Sequence, residues 1–293
     1  MSTVMGQVEK EPLRLVIIIA NPSHSKSYDY SAKIEKYVNY AGTKFAELFL
    51  SLRDDFEFRG FGVKVHCCTL SAFKKTNLAI RRDKPDIFLN FIIGNFTHFT
   101  SCNREFMNYF FIPPRFIKHL PASLENENEW TYKHREHLSE LMSHIIHEIC
   151  HSLGAFHSAN GIMKRHYVLL PEEDSRLKNI DFLKIIDKKT QAIICESMSI
   201  ISTLKPQRNL RYVDGVISFF TDQSVAAVFF LKESKYMDEH YQEFTYLDAI
   251  KSKKYTAPNG WDGFVVVHFC GHISYYSKTD VMTTGQCTKI IQF

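Results

Sequence analysis

His147-Glu148-Ile149-Cys150-His151-Ser152-Leu153-Gly154-Ala155-Phe156-His157 is the stretch on which the reading of this chain turns. It has the form H-E-x-x-H-x-x-G-x-x-H, and Met163 follows six residues after the last histidine. Three neutral imidazoles can hold a zinc ion and leave one position open for water, and a glutamate beside them can take that water's proton. A bare H-E-x-x-H arises by chance in roughly 4% of shuffled chains of this composition; the added glycine and third histidine lower that to about one in ten thousand.

The spacing suits the chemistry. His147 and His151 lie four residues apart, which on an α-helix puts them on one face, one turn from each other. Glu148 is better placed to meet a zinc-held water than to ligate the metal itself. A third ligand further along the same helix would point away, so the helix must stop. Gly154 is the residue type that takes the left-handed conformation at a helix C-terminus, and a turn there returns His157 to the metal. Leu138, Leu141, Ile145, Ile149 and Leu153 recur at helical spacing and predict a helix over about 133–153, one face on a core and the other on zinc. Cys150 sits inside the motif on its own side of the helix and reads as a small buried hydrophobe.

Working outward, 293 residues allow one large domain or two modest ones, and 45% hydrophobic content with 24 Phe is ample for a packed core. A net charge of +4 does not argue for a nucleic-acid partner. The longest early apolar run, Leu15 to Ala20, is far short of the ~20 residues a membrane span needs. That run is also a poor signal peptide, preceded by Glu9 and Glu11, so the chain as it stands reads as intracellular, or as secreted if its N-terminal portion is missing. Seven cysteines form no zinc-ribbon or dense disulfide pattern. Asn95-Phe96-Thr97 is a glycosylation sequon that matters only in a secreted chain.

The hydrophobic pattern predicts an α/β fold, with a mixed sheet backed by helices. Strands are expected at 13–20, 63–70, 87–93 and 107–112, with helices over 31–52 and 71–81 and an exposed loop at 121–130. The strand at 107–112 reads equally as a core strand or as an edge that takes an extended peptide. A helix carrying Leu183, Ile186, Ile193, Ile194, Met198 and Ile201 is expected after Pro171-Glu172-Glu173-Asp174, then a linker at 205–209. Beyond it, strands are expected at 216–221 and 225–231 around a turn at Asp222-Gln223. A helix at 236–250 follows, then strands at 264–270, 273–276 and 288–293. The expected domains are 1–204, catalytic, and 210–293, a smaller α/β or β-rich domain of unassigned role. His268 and His272 in the latter read as structural; His134, His137, His144 and His166 read as solvated.

With the motif at mid-chain, the sequence resembles the metzincin clan of zinc endopeptidases. Residues 13–204 look most like the adamalysin (reprolysin) branch, in the opening strand, the long helix at 31–52, the second strand near Val63 and a catalytic helix some 130 residues in. The resemblance implies one catalytic zinc on His147, His151 and His157, Glu148 as catalytic base, and Met163 as the Met-turn methionine packed beneath the ligands. It implies a protein or peptide substrate. Ser158 stands where adamalysins usually have Asp, and Gly161-Ile162-Met163 where they often have Cys-Ile-Met. Gly161 to Tyr167 is similar to a fungal-type group of predicted intracellular metzincins. Matrixins share His157-Ser158, but no Pro-Arg-Cys-Gly propeptide switch occurs. Tyr167 lies four residues after Met163, where some metzincins place a catalytic tyrosine at two, and it is not assigned to the site. Two other classes stand beside the protease: a catalytically silent binding protein, and a structural zinc site, for which no fourth ligand is apparent within the motif and a distant cysteine would have to serve.

Overall fold

A computed structural model of the chain describes residues 13–22, 30–50, 61–82, 85–104, 107–155, 157, 161–164, 190, 193–194, 208–233, 239–268, 273–283 and 289–291. The chain divides into two compact units, Met1–Ile117 and Lys118–Phe293.

The first unit is built on β1 (Leu13–Asn21), whose residues Leu15 to Ala20 are all buried. A strand apolar on both faces belongs in the middle of a parallel sheet covered on both sides. β1 accordingly pairs in parallel with β2 (Phe61–Thr69) on one edge and β3 (Ile87–Ile93) on the other. β3 continues to β5 (Met107–Ile112), and the antiparallel β4 (Thr100–Arg104) closes a five-stranded mixed sheet of order β2-β1-β3-β5-β4. The strand at 107–112 is therefore an interior strand; the edge on its side of the sheet is β4, which the sequence reading did not anticipate.

Helix α1 (Ser31–Leu50) buries Ile34, Val38, Ala41 and Phe45, which share an apolar stripe at helical spacing, and Tyr37 beside them; Leu48, Phe49 and Leu52 lie outside the described side chains. Gly42 lets α1 approach β2: a Cβ there would stand 3.0 Å from the Phe61 ring, which also packs on Phe45 at 5.7 Å. Helix α2 (Phe73–Arg81) sets Ile80 against Val16, Ile18 and Phe88. The short α3 (Pro114–Lys118) completes this unit's elements at its C-terminal end.

In the second unit a 3-10 turn (Glu127–Glu129) interrupts the expected loop, and Trp130 is buried with its indole N–H donating to the Ser123 carbonyl at 2.8 Å. Helix α4 (Tyr132–Ser152) follows. Thr131 caps it: its hydroxyl accepts from the His134 N–H at 3.2 Å, while the Thr131 N–H donates to His134 Nδ1 at 3.3 Å. Leu138, Leu141, Ile145, Ile149 and Leu153 are all buried, as their spacing predicts. Most of the expected 171–201 helix lies outside the described residues; Thr190, Ile193 and Ile194 are described and buried.

A six-stranded antiparallel sheet takes up the rest. Its members are β6 (Arg208–Val213), β7 (Val216–Glu233), β8 (Glu239–Thr256), β9 (Gly263–His268), β10 (Ile273–Ser277) and β11 (Lys289–Ile291), with α5 (Lys278–Thr283) after β10. Three expectations are corrected here. Arg208 and Asn209, expected in a linker, open β6. Asp222-Gln223 is not a turn: β7 runs through it and absorbs the irregularity as register shifts between Phe220 and Ala227. Residues expected as a helix at 236–250 form β8 from Glu239 onward, paired with β7 from Val216↔Thr256 to Glu233↔Glu239. Tyr241, Phe244, Thr245 and Tyr246 favour a strand once a long partner is present, and pairing overrides helical periodicity. Among the described residues, no helix is long and apolar enough to cross a membrane.

Three buried asparagines tie the first unit across its elements. Asn77 Nδ2 on α2 donates to Asn90 Oδ1 on β3 at 2.9 Å, and Asn90 Nδ2 donates to the Asn108 carbonyl on β5 at 3.2 Å. Truncating the middle member strands the Asn77 amide. Asn90→Ala should lower the unfolding free energy by about 2 kcal/mol, read as a reduced urea midpoint with unchanged slope. An unchanged midpoint would show that water replaces the lost bonds.

Candidate metal centre

α4 ends where the motif needs it to end. Gly154 takes φ +88°, the left-handed region that glycine occupies without a Cβ clash. Its N–H donates to the His151 carbonyl at 3.0 Å, and the Ala155 N–H donates to the Cys150 carbonyl at 2.9 Å. These are the two bonds of a Schellman C-cap. The chain reverses, and His157 comes back to the helix face that carries His147 and His151.

The three imidazoles converge. His157 Nε2 stands 3.3 Å from His147 Nε2 and 3.1 Å from His151 Nε2. Ring centroids are 4.6 Å apart for His147–His151, 5.2 Å for His147–His157 and 4.7 Å for His151–His157. Tetrahedral zinc with Zn–N of about 2.0–2.1 Å separates its nitrogens by about 3.3 Å, so the spacing fits one such ion. Among the described residues this is the only group of three or more His, Cys, Asp or Glu side chains that could hold a metal ion.

Second contacts fix which nitrogen faces inward. His147 Nδ1 lies 2.6 Å from the Ile162 carbonyl, and His151 Nδ1 lies 2.8 Å from the Ala155 carbonyl. A carbonyl can only accept, so each Nδ1 carries the proton and each Nε2 keeps its lone pair in the neutral ring. Burial, then the neighbouring His147 and His157, hold the His151 pKa well below the usual histidine range, against a smaller opposing contribution from the Ala155 carbonyl. That favours the neutral, ligating form.

Met163 is fully buried, in a tight turn in which Gly161 has φ +72° and the Lys164 N–H donates to the Gly161 carbonyl at 3.0 Å. The same turn presents the Ile162 carbonyl to His147. Glu148 is only 2% exposed, one residue from the first imidazole. A buried carboxylate is costly without a positive neighbour, and a divalent ion on the triad would supply one. The donor set, the nitrogen spacing and the buried acid thus all suit zinc.

The structure brings together His147, His151 and His157, and sets Glu148, Gly154 and Met163 on the elements that carry them. Sequence reasoning missed the Ala155 and Ile162 carbonyls, since backbone acceptors leave no mark in residue identity. Tyr167 and His166 lie outside the described residues. Cys150 is fully buried and in no disulfide, in keeping with its reading as a small hydrophobe. His268 is also fully buried, its Nε2 3.4 Å from the Ser274 hydroxyl, in a structural setting within the six-stranded sheet.

Comparison with known proteins bears on this site. The matrixin (peptidase M10) family model matches residues 61–187, a span that includes the whole motif. The match supports a zinc metallopeptidase of the metzincin clan, and it falls on the matrixins where the opening resemblance pointed to the adamalysins. No curated protein matches the chain. Among solved structures, wild-type OgpA from Akkermansia muciniphila is similar at 12% identity and TM-score 0.45, covering 96% of this chain and 92% of that one. Catalytically inactive OgpA in complex with an O-glycopeptide (glycodrosocin) substrate is similar at 11% identity and TM-score 0.47, with the same coverage.

Gly154→Val should cost about 1–2 kcal/mol through the left-handed backbone alone. It should also weaken zinc binding in a calorimetric titration, because the turn that returns His157 is disturbed. Unchanged zinc affinity would mean that His157 is positioned by something other than this cap.

Proposed function

We propose that this chain is a zinc-dependent endopeptidase that hydrolyses internal peptide bonds of a protein or peptide substrate. The observation that carries the reading is the approach of His157 Nε2 to 3.3 Å and 3.1 Å from the Nε2 atoms of His147 and His151, two rings whose tautomers are fixed by backbone carbonyls. His147, His151 and His157 hold one zinc ion. Bound zinc polarises the scissile carbonyl and lowers the pKa of water. Glu148 accepts the proton of the attacking water and passes it to the leaving amine. Met163 packs beneath the ligands, and Gly154 terminates the helix so that the third ligand can return.

The proposal extends to organisation. Residues 1–204 form the catalytic domain and 210–293 a C-terminal domain, a boundary other than the division into units between Ile117 and Lys118. Support comes from the six-stranded sheet, whose strands all fall within Arg208–Ile291 and pair with one another. The adamalysin likeness of 13–204 rests on element order, and the His157-Ser158 pair is shared with matrixins, so the branch is left at the clan. A catalytically silent binding protein is the other reading. It has no use for a base, and Glu148 is retained next to the first ligand.

The test is zinc stoichiometry together with cleavage of a mixed peptide library. The native chain should bind one zinc at the triad and cleave within peptides. Glu148→Ala should keep that zinc and lose turnover by a factor of at least about 100, the lower range for removing a general base. His151→Ala should lose the metal. Zinc bound without cleavage by the native chain would move the assignment to the silent binding protein. Full zinc occupancy in His151→Ala would refute the ligand set.

A further inference from the structure

Helix α4 is enclosed almost all the way round. From Leu138 to Ser152 every residue is buried except Glu140, His144, His147 and His151. With the partly exposed His137 these positions follow one another at intervals of three and four, a single stripe along the helix. Every member is titratable. The triad occupies one end of the stripe and His137 the other, about 15 Å away at 1.5 Å per residue.

At that far end His137 meets His119, from the segment before the helix. Their ring centroids are 5.3 Å apart with planes at 57°, close to the 5.2 Å of His147 and His157 in the triad. His137 Nδ1 lies 2.9 Å from the Lys133 carbonyl. By the argument used for the triad, Nδ1 carries the proton and Nε2 keeps the lone pair. His134 is committed otherwise, its Nδ1 accepting the Thr131 N–H in the helix cap. Burial, then Lys133, His137 and His134, hold the His119 pKa below its ordinary value, which favours a neutral ring.

A carboxyl group lies one turn further along the same stripe. Burial, and then Glu136, push the Glu140 pKa up, and no hydrogen bond or ion pair reaches it among the described residues. A bound cation nearby would favour its charged form.

We propose that His119 and His137 form a second, two-imidazole site for a divalent transition ion, distinct from the triad and weaker than it. Imidazole suits zinc, copper and nickel, with water completing the coordination. Glu140 is not a ligand in the arrangement described.

The proposal is tested with zinc chloride alone, titrated into the metal-stripped full chain and read by calorimetry and by elemental analysis after dialysis. The native chain should take up two equivalents. The weaker one should vanish in His119→Ala and in His137→Ala and persist in His134→Ala. His151→Ala should lose the tighter equivalent and keep the weaker one, so failure of the triad assignment is distinguishable from failure of this one. Far-UV circular dichroism guards against loss of helix in His137→Ala, and His119→Ala, outside the helix, gives an independent reading. A single equivalent in the native chain, or a second equivalent that survives His119→Ala, overturns the proposal.

Discussion

A backbone carbonyl oxygen accepts hydrogen bonds and cannot give them, and the metal-binding face depends on this one-way chemistry. The Ile162 and Ala155 carbonyls each take the Nδ1 proton of a histidine, which leaves both Nε2 lone pairs directed at the same small volume. Those carbonyls are where they are because two glycines adopt positive φ, one ending α4 and one opening the turn at Met163. An L-residue with a Cβ at either point would pay for the conformation. The geometry of the imidazoles is therefore a property of two turns as much as of three side chains.

The helix that supplies the first two ligands is held on nearly every side. Its apolar positions are packed, its start is capped by Thr131 and His134, and its end is closed by two backbone hydrogen bonds. Ligands on such an element have little freedom to drift, which is what a site tolerant of only tenths of an ångström requires. Burial of Glu148 within the same helix adds an electrostatic reason for the site to prefer a cation.

Much of this was legible before any coordinates, and the pattern of misses is physical. The Leu138 to Leu153 periodicity and the run Leu15 to Ala20 are each long, apolar and periodic, and each formed the element expected. The motif carries its own geometry, because four-residue spacing on a helix has one outcome. What failed was β8, a stretch of mixed polarity with residues that favour a strand only once a long partner strand is there to pair with. The supposed turn at Asp222-Gln223 failed for a related reason: turn-type residues were carried inside a bulged strand. The interior position of β5 depended on β4, a short strand (Thr-Ser-Cys-Asn-Arg) with almost no hydrophobic signal. The carbonyl contacts to His147 and His151 could not be read at all, since any residue supplies a carbonyl.

The pairing of β1 also sets the order in which the chain can reach its final state during synthesis. Leu13 waits for Phe61, and Leu15 waits for Ile87, before either edge of this strand is occupied. The hairpins of the second sheet join near neighbours, such as Val213 with Val216 and Val267 with Ile273. Local pairings close quickly and distant parallel ones slowly. The segment most prone to self-association, an unbroken apolar β-strand, thus emerges some seventy residues ahead of the β3 partner that covers one of its edges. For the nascent chain the period of greatest exposure precedes the appearance of a single metal ligand.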